Sequence, residues 1–170
     1  MSSPVERIRA GHEGDLEELT RIYNHYIVNT PITFDVEPFT IEQRRPWLDA
    51  HPAHGPHRLL VAEDDGQVLG YATSSPFRPK AAYATSVETT VYLAPEHTGR
   101  GLGSRLYLAL LETLRTEDVH LAVAGVTQPN EASARLHLRC GFRQVGVFEE
   151  VGHKFGEFRD VAWFQQRLTG

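Results

Sequence analysis

"VYLAPEHTGRGLGSRLYLALLETL", residues 91–114, carries an apolar strand into Gly99, Gly101 and Gly103 and then directly into a leucine-rich helix. Leu102, Leu106, Leu110 and Leu114 recur at i, i+4, so that helix has one apolar stripe to bury. Glycine within regular structure costs roughly 0.5–1 kcal/mol in backbone entropy. Three glycines at alternate positions where a helix begins therefore need a compensating partner. The first N–H groups of a helix have no acceptor within it, and the helix dipole adds positive potential there. A phosphate or pyrophosphate fits such a terminus, and glycine removes the Cβ atoms that block its approach. "GRGLGSRL" is not a Walker loop, because it lacks the Lys-Ser/Thr pair. Nor is it a dinucleotide fingerprint, since the third glycine of that motif falls on Ser104 or Leu106.

The rest of the chain sets the frame for this segment. Its 170 residues are expected to form one domain, 1–170, with a sizeable core. A net charge of −5 and a pI near 6.0 argue against a nucleic-acid partner. The N-terminal "MSSPVERIRAGHEGD" has no apolar signal core, and no stretch approaches the roughly 18 apolar residues of a membrane span. Cys140 is the single cysteine, which excludes an internal disulfide and suits a reducing compartment. A cytoplasmic protein without membrane contact is the expectation.

Periodicity and turn chemistry predict the element order. "VERIRAG" (5–11) alternates as a short strand, and Leu16 to Ile27 follow at helical spacing up to Thr30-Pro31. "TIEQ" (40–43) is a capping box opening a second helix, which Pro46 should keep short or kinked. Residues 57–64 and 67–75 are strands around Asp64-Asp65-Gly66, and 84–93 is a further strand. After the leucine-rich helix come a strand at 119–126, a helix from Asn130 to Gly141, and strands at 143–151 and 158–168. The order β-α-α-β-β-β-α-β-α-β-β predicts an α/β or α+β fold with a mixed sheet.

The glycine segment resembles motif A of the GCN5-related N-acetyltransferase (GNAT) superfamily, Q/R-x-x-G-x-G/A, with Thr98 at the position usually held by Gln or Arg. A second superfamily pattern, N-x-x-(A/S)-x-x-L-Y-x-x-x-G-F, is met by Asn130, Ser133, Leu136, His137, Gly141 and Phe142, with histidine in place of tyrosine. "SVETTVYLAPEHTGRGLGSRLY", "SARLHLRCGF", "HKFGEFRDVAWFQ", "YNHYI", "TFDVEP" and "PFRPKAAY" together resemble the phosphinothricin and methionine sulfoximine N-acetyltransferase family over nearly the whole chain. That resemblance implies a mostly antiparallel sheet splayed at the cofactor, with helices on both faces. It also implies acetyl-CoA as co-substrate, no metal, a small amino-acid-like amine as acceptor, and a homodimer.

Under this resemblance Gly99, Arg100, Gly101, Leu102, Gly103 and Ser104 hold the pyrophosphate. Val91, Tyr92 and Leu93 run beside the pantetheine arm, with Asn130 and Ser133 on its other side. Glu88, on the strand leading to the cofactor segment, is the implied base, because an aliphatic amine must lose a proton before it attacks a thioester. His137 is the partner acid or base, since imidazole titrates near neutrality. A main-chain N–H of 91–93 is suited to the charge that builds on the thioester oxygen. Phe34, Arg78, Tyr83 and Glu88 are the expected acceptor residues. Two other functions compete with this reading: acetylation of a peptide N-terminus or lysine, and a non-catalytic acyl-CoA sensor. The cations Arg78 and Lys80 favour a small anionic acceptor over a peptide, and a sensor needs neither Glu88 nor His137.

Three further features read as structural. His51, His54 and His57 lie in a Pro/Gly-containing segment that cannot align them on a helix, so a solvated loop is expected rather than a metal site. Cys140 reads as a small packed thiol. Trp47 and Trp163 read as core or interface residues.

Overall fold

A computed structural model describes residues 6–170; Val5, expected to open the first strand, lies outside them. The elements are β1 (Arg7–Ala10), α1 (Leu16–Asn29), α2 (Ile41–Asp49), β2 (Leu59–Asp64), β3 (Gln67–Pro76) and β4 (Ser86–Leu93). They continue with α3 (Leu102–Arg115), β5 (Leu121–Thr127), α4 (Glu131–Arg139), β6 (Arg143–Lys154) and β7 (Glu157–Arg167). The described strands form one seven-stranded sheet in the order β1-β2-β3-β4-β5-β7-β6. Every neighbouring pair is antiparallel except β4–β5.

Local chemistry accounts for most boundaries. The Thr40 hydroxyl accepts from Gln43 N at 3.2 Å while the Gln43 side chain accepts from Thr40 N at 2.9 Å, closing the capping box of α2. That helix has nine residues and passes through Pro46, whose carbonyl still accepts from Ala50 N at 3.1 Å. The β2–β3 turn uses Asp65 and Gly66 at φ of 48° and 79°. A second turn of this kind, Phe155-Gly156 at φ of 54° and 74°, lengthens β6 to Lys154 and starts β7 at Glu157. β4 begins two residues later than expected because residues 81–83 form a 3-10 turn.

The alternation of β4 divides the chemistry between two faces. Val87, Val91 and Leu93 pack with the α3 stripe of Leu102, Leu106, Leu110 and Leu114. Tyr92 packs on the opposite face with Leu16, Leu19 and Ile22 of α1 and Leu48 of α2. Glu88 and Thr90 share the parity of Tyr92 and so face α1 and α2, whereas Thr89 faces α3. Helices thus cover both faces, and the two cores meet only through the sheet.

That sheet is not continuous. β4 pairs with β5 at only three positions, ending at Glu88↔Val123. β4 stays paired with β3 as far as Leu93↔Gly70, and β5 with β7 as far as Thr127↔Val161. Beyond Glu88 and Val123 the two central strands diverge, and a cleft opens through the sheet.

Candidate active site

The glycine segment borders this cleft on the α3 side. Gly99 and Gly101 have φ of 78° and 75°, a region L-residues avoid, and a Cβ on either would meet no atom within 4 Å. Packing does not demand glycine there; backbone conformation and open approach do. Gly101 caps α3 without any side-chain acceptor, and the first α3 amide to reach a helical carbonyl is Arg105 N, at 3.2 Å from Gly101 O. The amides of Leu102, Gly103 and Ser104 are thus the unpaired donors of a helix N-terminus. They open onto a groove of about 290 Å³ lined by Thr98, Gly99, Gly101, Gly103 and Ser104 at one end. Val91, Tyr92, Leu93, Asn130, Ser133 and Leu136 line the remainder. Arg100 is not among the lining residues, and the Leu102 side chain is buried in the core.

Backbone direction supplies the next donor. Thr85 O accepts from His120 N at 2.8 Å and Leu121 N at 3.2 Å, so its polar groups face β5. The strand period carries the N–H and C=O of Val91 to the same edge, three residues past the last β4–β5 pair. The following carbonyl on that edge, Leu93 O, accepts from the Tyr26 hydroxyl.

On the α1/α2 face, a cavity of about 500 Å³ contains Glu88, Thr90, Phe34 and Arg78, together with Tyr23, Gly125, Phe148 and Trp163. Burial pushes the Glu88 carboxyl above its ordinary pKa, and the positive charge of Arg78 opposes that rise. Phe34 packs so tightly on β6 that a Cβ at Gly152 would lie 2.2 Å from its ring. Tyr83 is not among the lining residues; its ring packs edge-on against Phe77, 5.6 Å between centroids.

His137 lines the narrow passage through the split. Its ring stacks on Phe164 and meets Tyr107 and Phe142 edge-on, with centroids 5.2–5.3 Å apart. Nδ1 lies 2.7 Å from Ser133 O, so Nδ1 is the protonated nitrogen in the neutral ring and Nε2 the acceptor. Burial pushes this imidazole below its ordinary pKa. A small cavity of about 60 Å³ runs through the split from His137, Asn130 and Ser133 to Thr90, Gly125 and Thr127. Thr90, Gly125 and Thr127 also line the Glu88 cavity, so the amide-lined groove and the carboxylate cavity meet inside the sheet. Asn130 Oδ1 is occupied in capping α4, accepting from Ser133 N at 3.1 Å.

Among the described residues no group of three or more His, Cys, Asp or Glu is placed to hold a metal ion. Nor is any helix long and apolar enough to cross a membrane. The solvated histidine loop is corrected at one position: His51 is packed against Trp47, with Nδ1 at 2.6 Å from Trp47 O and Nε2 at 3.1 Å from Ser75 Oγ. Cys140 is buried, its Sγ 4.0 Å from Ser104 O.

A family model described as "Acetyltransferase (GNAT) family" matches residues 19–142. The chain belongs to the acetyltransferase (GNAT) family. It is 62% identical to a phosphinothricin N-acetyltransferase of Streptomyces coelicolor, over 95% of this chain and 96% of the relative. It is 35% identical to an L-methionine sulfoximine/L-methionine sulfone acetyltransferase of Pseudomonas aeruginosa, over 95% of this chain and 94% of the relative. The structure of yncA from Salmonella typhimurium with its cofactor acetyl-CoA superposes with a TM-score of 0.93 at 33% identity, covering 97% of this chain and 95% of that one.

In this GNAT chain, the sequence gives no warning of a layer of residues around the acceptor cavities. Tyr23 donates to Asp35 and lies 2.8 Å from Thr33 Oγ1, and Lys154 Nζ donates to Thr33 O at 2.8 Å. These bonds pin the segment carrying Ile32 and Phe34 from both sides. Trp163, whose buried Nε1 has no partner, lines the larger cavity, and buried Arg44 lines a second. Tyr23 lies within "YNHYI", but its contacts are long-range and leave no local pattern.

Proposed function

We propose that the protein transfers the acetyl group of acetyl-CoA to the α-amino group of a small amino-acid-like acceptor, of the phosphinothricin or methionine sulfoximine type. The observation that carries this reading is the split between β4 and β5, which joins a groove of free helix amides to a cavity holding a half-buried carboxylate. The Streptomyces coelicolor and Pseudomonas aeruginosa relatives are named for acceptors of this kind.

The groove fits the co-substrate because Gly99 and Gly101 leave open space at unpaired amides. Gly99 to Ser104 would hold the pyrophosphate by main chain, with Arg100 at its rim. Val91 to Leu93 on one side, and Asn130 with Ser133 on the other, would hold the pantetheine arm. When bound, acetyl-CoA supplies the activated acetyl thioester. The chain's own residues then have three tasks. Glu88, its basicity raised by burial, takes a proton from the acceptor ammonium at its carboxylate oxygen, directly or through water. The Val91 N–H donates to the thioester oxygen as charge builds on it. His137 Nε2, unprotonated in the neutral ring, takes the second proton that the attacking nitrogen loses as the C–N bond forms and passes it to the sulfur as the C–S bond breaks, with Nδ1 held by Ser133 O. Alignment of amine and thioester across the split supplies much of the rest.

Phe34, Phe148 and Trp163 line the acceptor cavity as apolar walls. Arg78 beside Glu88 suits the acceptor's carboxylate. We further read the whole chain as one cytoplasmic catalytic domain that forms a homodimer. The dimer reading is supported by the exposed Val145, Val147, Phe148 and Val151 along the outer strand β6. Thiol release from acetyl-CoA, measured against phosphinothricin, methionine sulfoximine, methionine sulfone, polyamines and short peptides, tests the reading. Turnover confined to the amino acids is expected; turnover of peptides or polyamines alone would overturn it.

A further inference from the structure

Arg44 has no role in the chemistry above, yet its setting is unusual for a cation. Only 7% of it is exposed, and its guanidinium lies 3.9 Å over the Trp47 ring and 4.1 Å over the Tyr23 ring. It forms no salt bridge among the described residues, and its Nε is buried without a hydrogen-bond partner. Stacking between two aromatic faces offsets part of the cost of burying a charge, but it leaves Nε without a partner, while the guanidinium also acts on the buried Tyr71 hydroxyl. The carboxylates of Asp35 and Glu88 share its cavity but form no ion pair with it among the described residues, and a ligand oxyanion that does pair recovers part of the cost of burying the guanidinium.

The guanidinium lines a cavity of about 290 Å³ together with Trp47, Thr73, Glu88 and Thr90. Asp35 also lines it, but its Oδ2 accepts the Tyr23 hydroxyl instead. Glu88, Thr90, Tyr23 and Tyr92 are shared with the larger cavity, where Arg78 sits, so Glu88 stands on the wall between a compartment holding Arg78 and one holding Arg44 and Asp35. The two cations lie in different compartments. The charge of Arg78 acts on the Glu88 carboxyl, whereas that of Arg44 acts on Tyr71, Tyr23 and Tyr92. An α-amino acid with its amine at Glu88 carries its α-carboxylate two bonds away, in the range of Arg78. A group at the far end of its side chain extends further, into the Arg44 compartment.

We propose that Arg44 is the receptor for a distal oxyanion of the acceptor, so that the preferred substrates are α-amino acids whose side chain ends in an anionic group. This rests on the acetyl-transfer reading above and adds a determinant of specificity to it.

Phosphinothricin and methionine sulfone provide the test, because an anionic methylphosphinate in one replaces a neutral methylsulfonyl of nearly the same shape in the other. Acetyl-CoA-dependent thiol release is measured on both with wild type, Arg44→Gln and Arg44→Lys, separating kcat from KM. The wild type is expected to prefer phosphinothricin. Arg44→Gln should lose about 10- to 100-fold in kcat/KM for phosphinothricin, mainly through KM, and less than about threefold for the sulfone. Arg44→Lys, which keeps the charge but not the planar fork, should fall between, still with the larger loss on phosphinothricin. Equal losses on both substrates in either variant, or no loss on either, would show Arg44 to be structural and overturn the proposal. If Arg44→Gln does not fold, Arg44→Lys decides by the same comparison. A wild type that acetylates neither compound, nor methionine sulfoximine, sinks both this inference and the parent reading; one that acetylates methionine sulfoximine alone, or acetylates both compounds with equal variant losses, sinks this inference alone.

Discussion

Gly101→Ala separates what the glycine loop does for the fold from what it does for the ligand. At φ of 75° the added Cβ meets no protein atom within 4 Å, so its cost to the free protein is conformational. For an L-residue in the left-handed region that is about 1–2 kcal/mol. In a chain of this size each kcal/mol lowers Tm by about 2–4 °C, giving a fall of about 2–8 °C. Gly66→Ala, at the β2–β3 turn, is the matched control: its φ is 79°, and it too has no neighbour within 4 Å. The two variants should melt alike, but only Gly101 adjoins the amides of Leu102, Gly103 and Ser104. A methyl group there obstructs the approach to those donors. Losing one charge-assisted hydrogen bond weakens acetyl-CoA binding by about ten- to a hundredfold. Isothermal titration of acetyl-CoA, paired with calorimetric melting, reads both effects. Equal acetyl-CoA affinity in Gly101→Ala, Gly66→Ala and wild type would refute the assignment of the loop.

Two further outcomes follow from the buried polar groups. Lys154→Met strips Thr33 O of its 2.8 Å donor, so urea unfolding should show a loss of about 1–3 kcal/mol, and KM for the acceptor should rise while acetyl-CoA affinity holds. An unchanged acceptor KM would mean that the Phe34 segment is held by other contacts. His137, with its pKa lowered by burial, binds fewer protons folded than unfolded, so its contribution is intact above its ordinary value near 6.5 and is lost as pH falls through the lowered folded value. His51 and His57 are lowered too, so the comparison must be made against His137→Gln. The stability advantage of wild type over that variant should shrink between pH 7.5 and pH 5.5, and a constant difference would contradict the burial argument.

Features made of neighbouring residues are legible in the sequence alone. The capping box of α2, the Asp65-Gly66 turn, the α3 stripe and the left-handed glycines each depend on a few adjacent positions, and each forms. Arg44 and Lys154 leave no such signal, because their burial depends on rings and carbonyls far away in sequence, such as Tyr23 beneath Arg44 and Thr33 beside Lys154. His51 departs from the expected solvated loop for the same reason, since its partner Ser75 lies 24 residues on. The resemblance names Tyr83 as an acceptor residue, and in the fold the 3-10 turn at 81–83 sets its ring edge-on against Phe77. Phe155-Gly156 is hard to read as a turn because an aromatic residue at positive φ gives weaker turn chemistry than Asp-Gly. The split in the sheet has no local signature at all; it exists because β4 and β5 each keep an outer partner that leads them apart.

The proposed mechanism turns on a half-buried carboxylate at the split that deprotonates the acceptor. Glu88→Gln, assayed for acetylation of phosphinothricin from pH 5 to pH 9, removes that group alone. Burial raises the Glu88 pKa, so the folded state holds its proton more tightly, and stability falls as pH rises from the ordinary carboxyl range through that raised value. Glutamine removes this cost, so the variant should be no less stable than wild type at pH 7, and a fall in rate cannot be blamed on unfolding. The expected loss is about 10²- to 10⁴-fold in kcat/KM near pH 7, with the wild type's acid limb lying above the ordinary carboxylate range. A Glu88→Gln enzyme that keeps kcat/KM within about threefold of wild type across that pH range would contradict the assignment of Glu88 as the base.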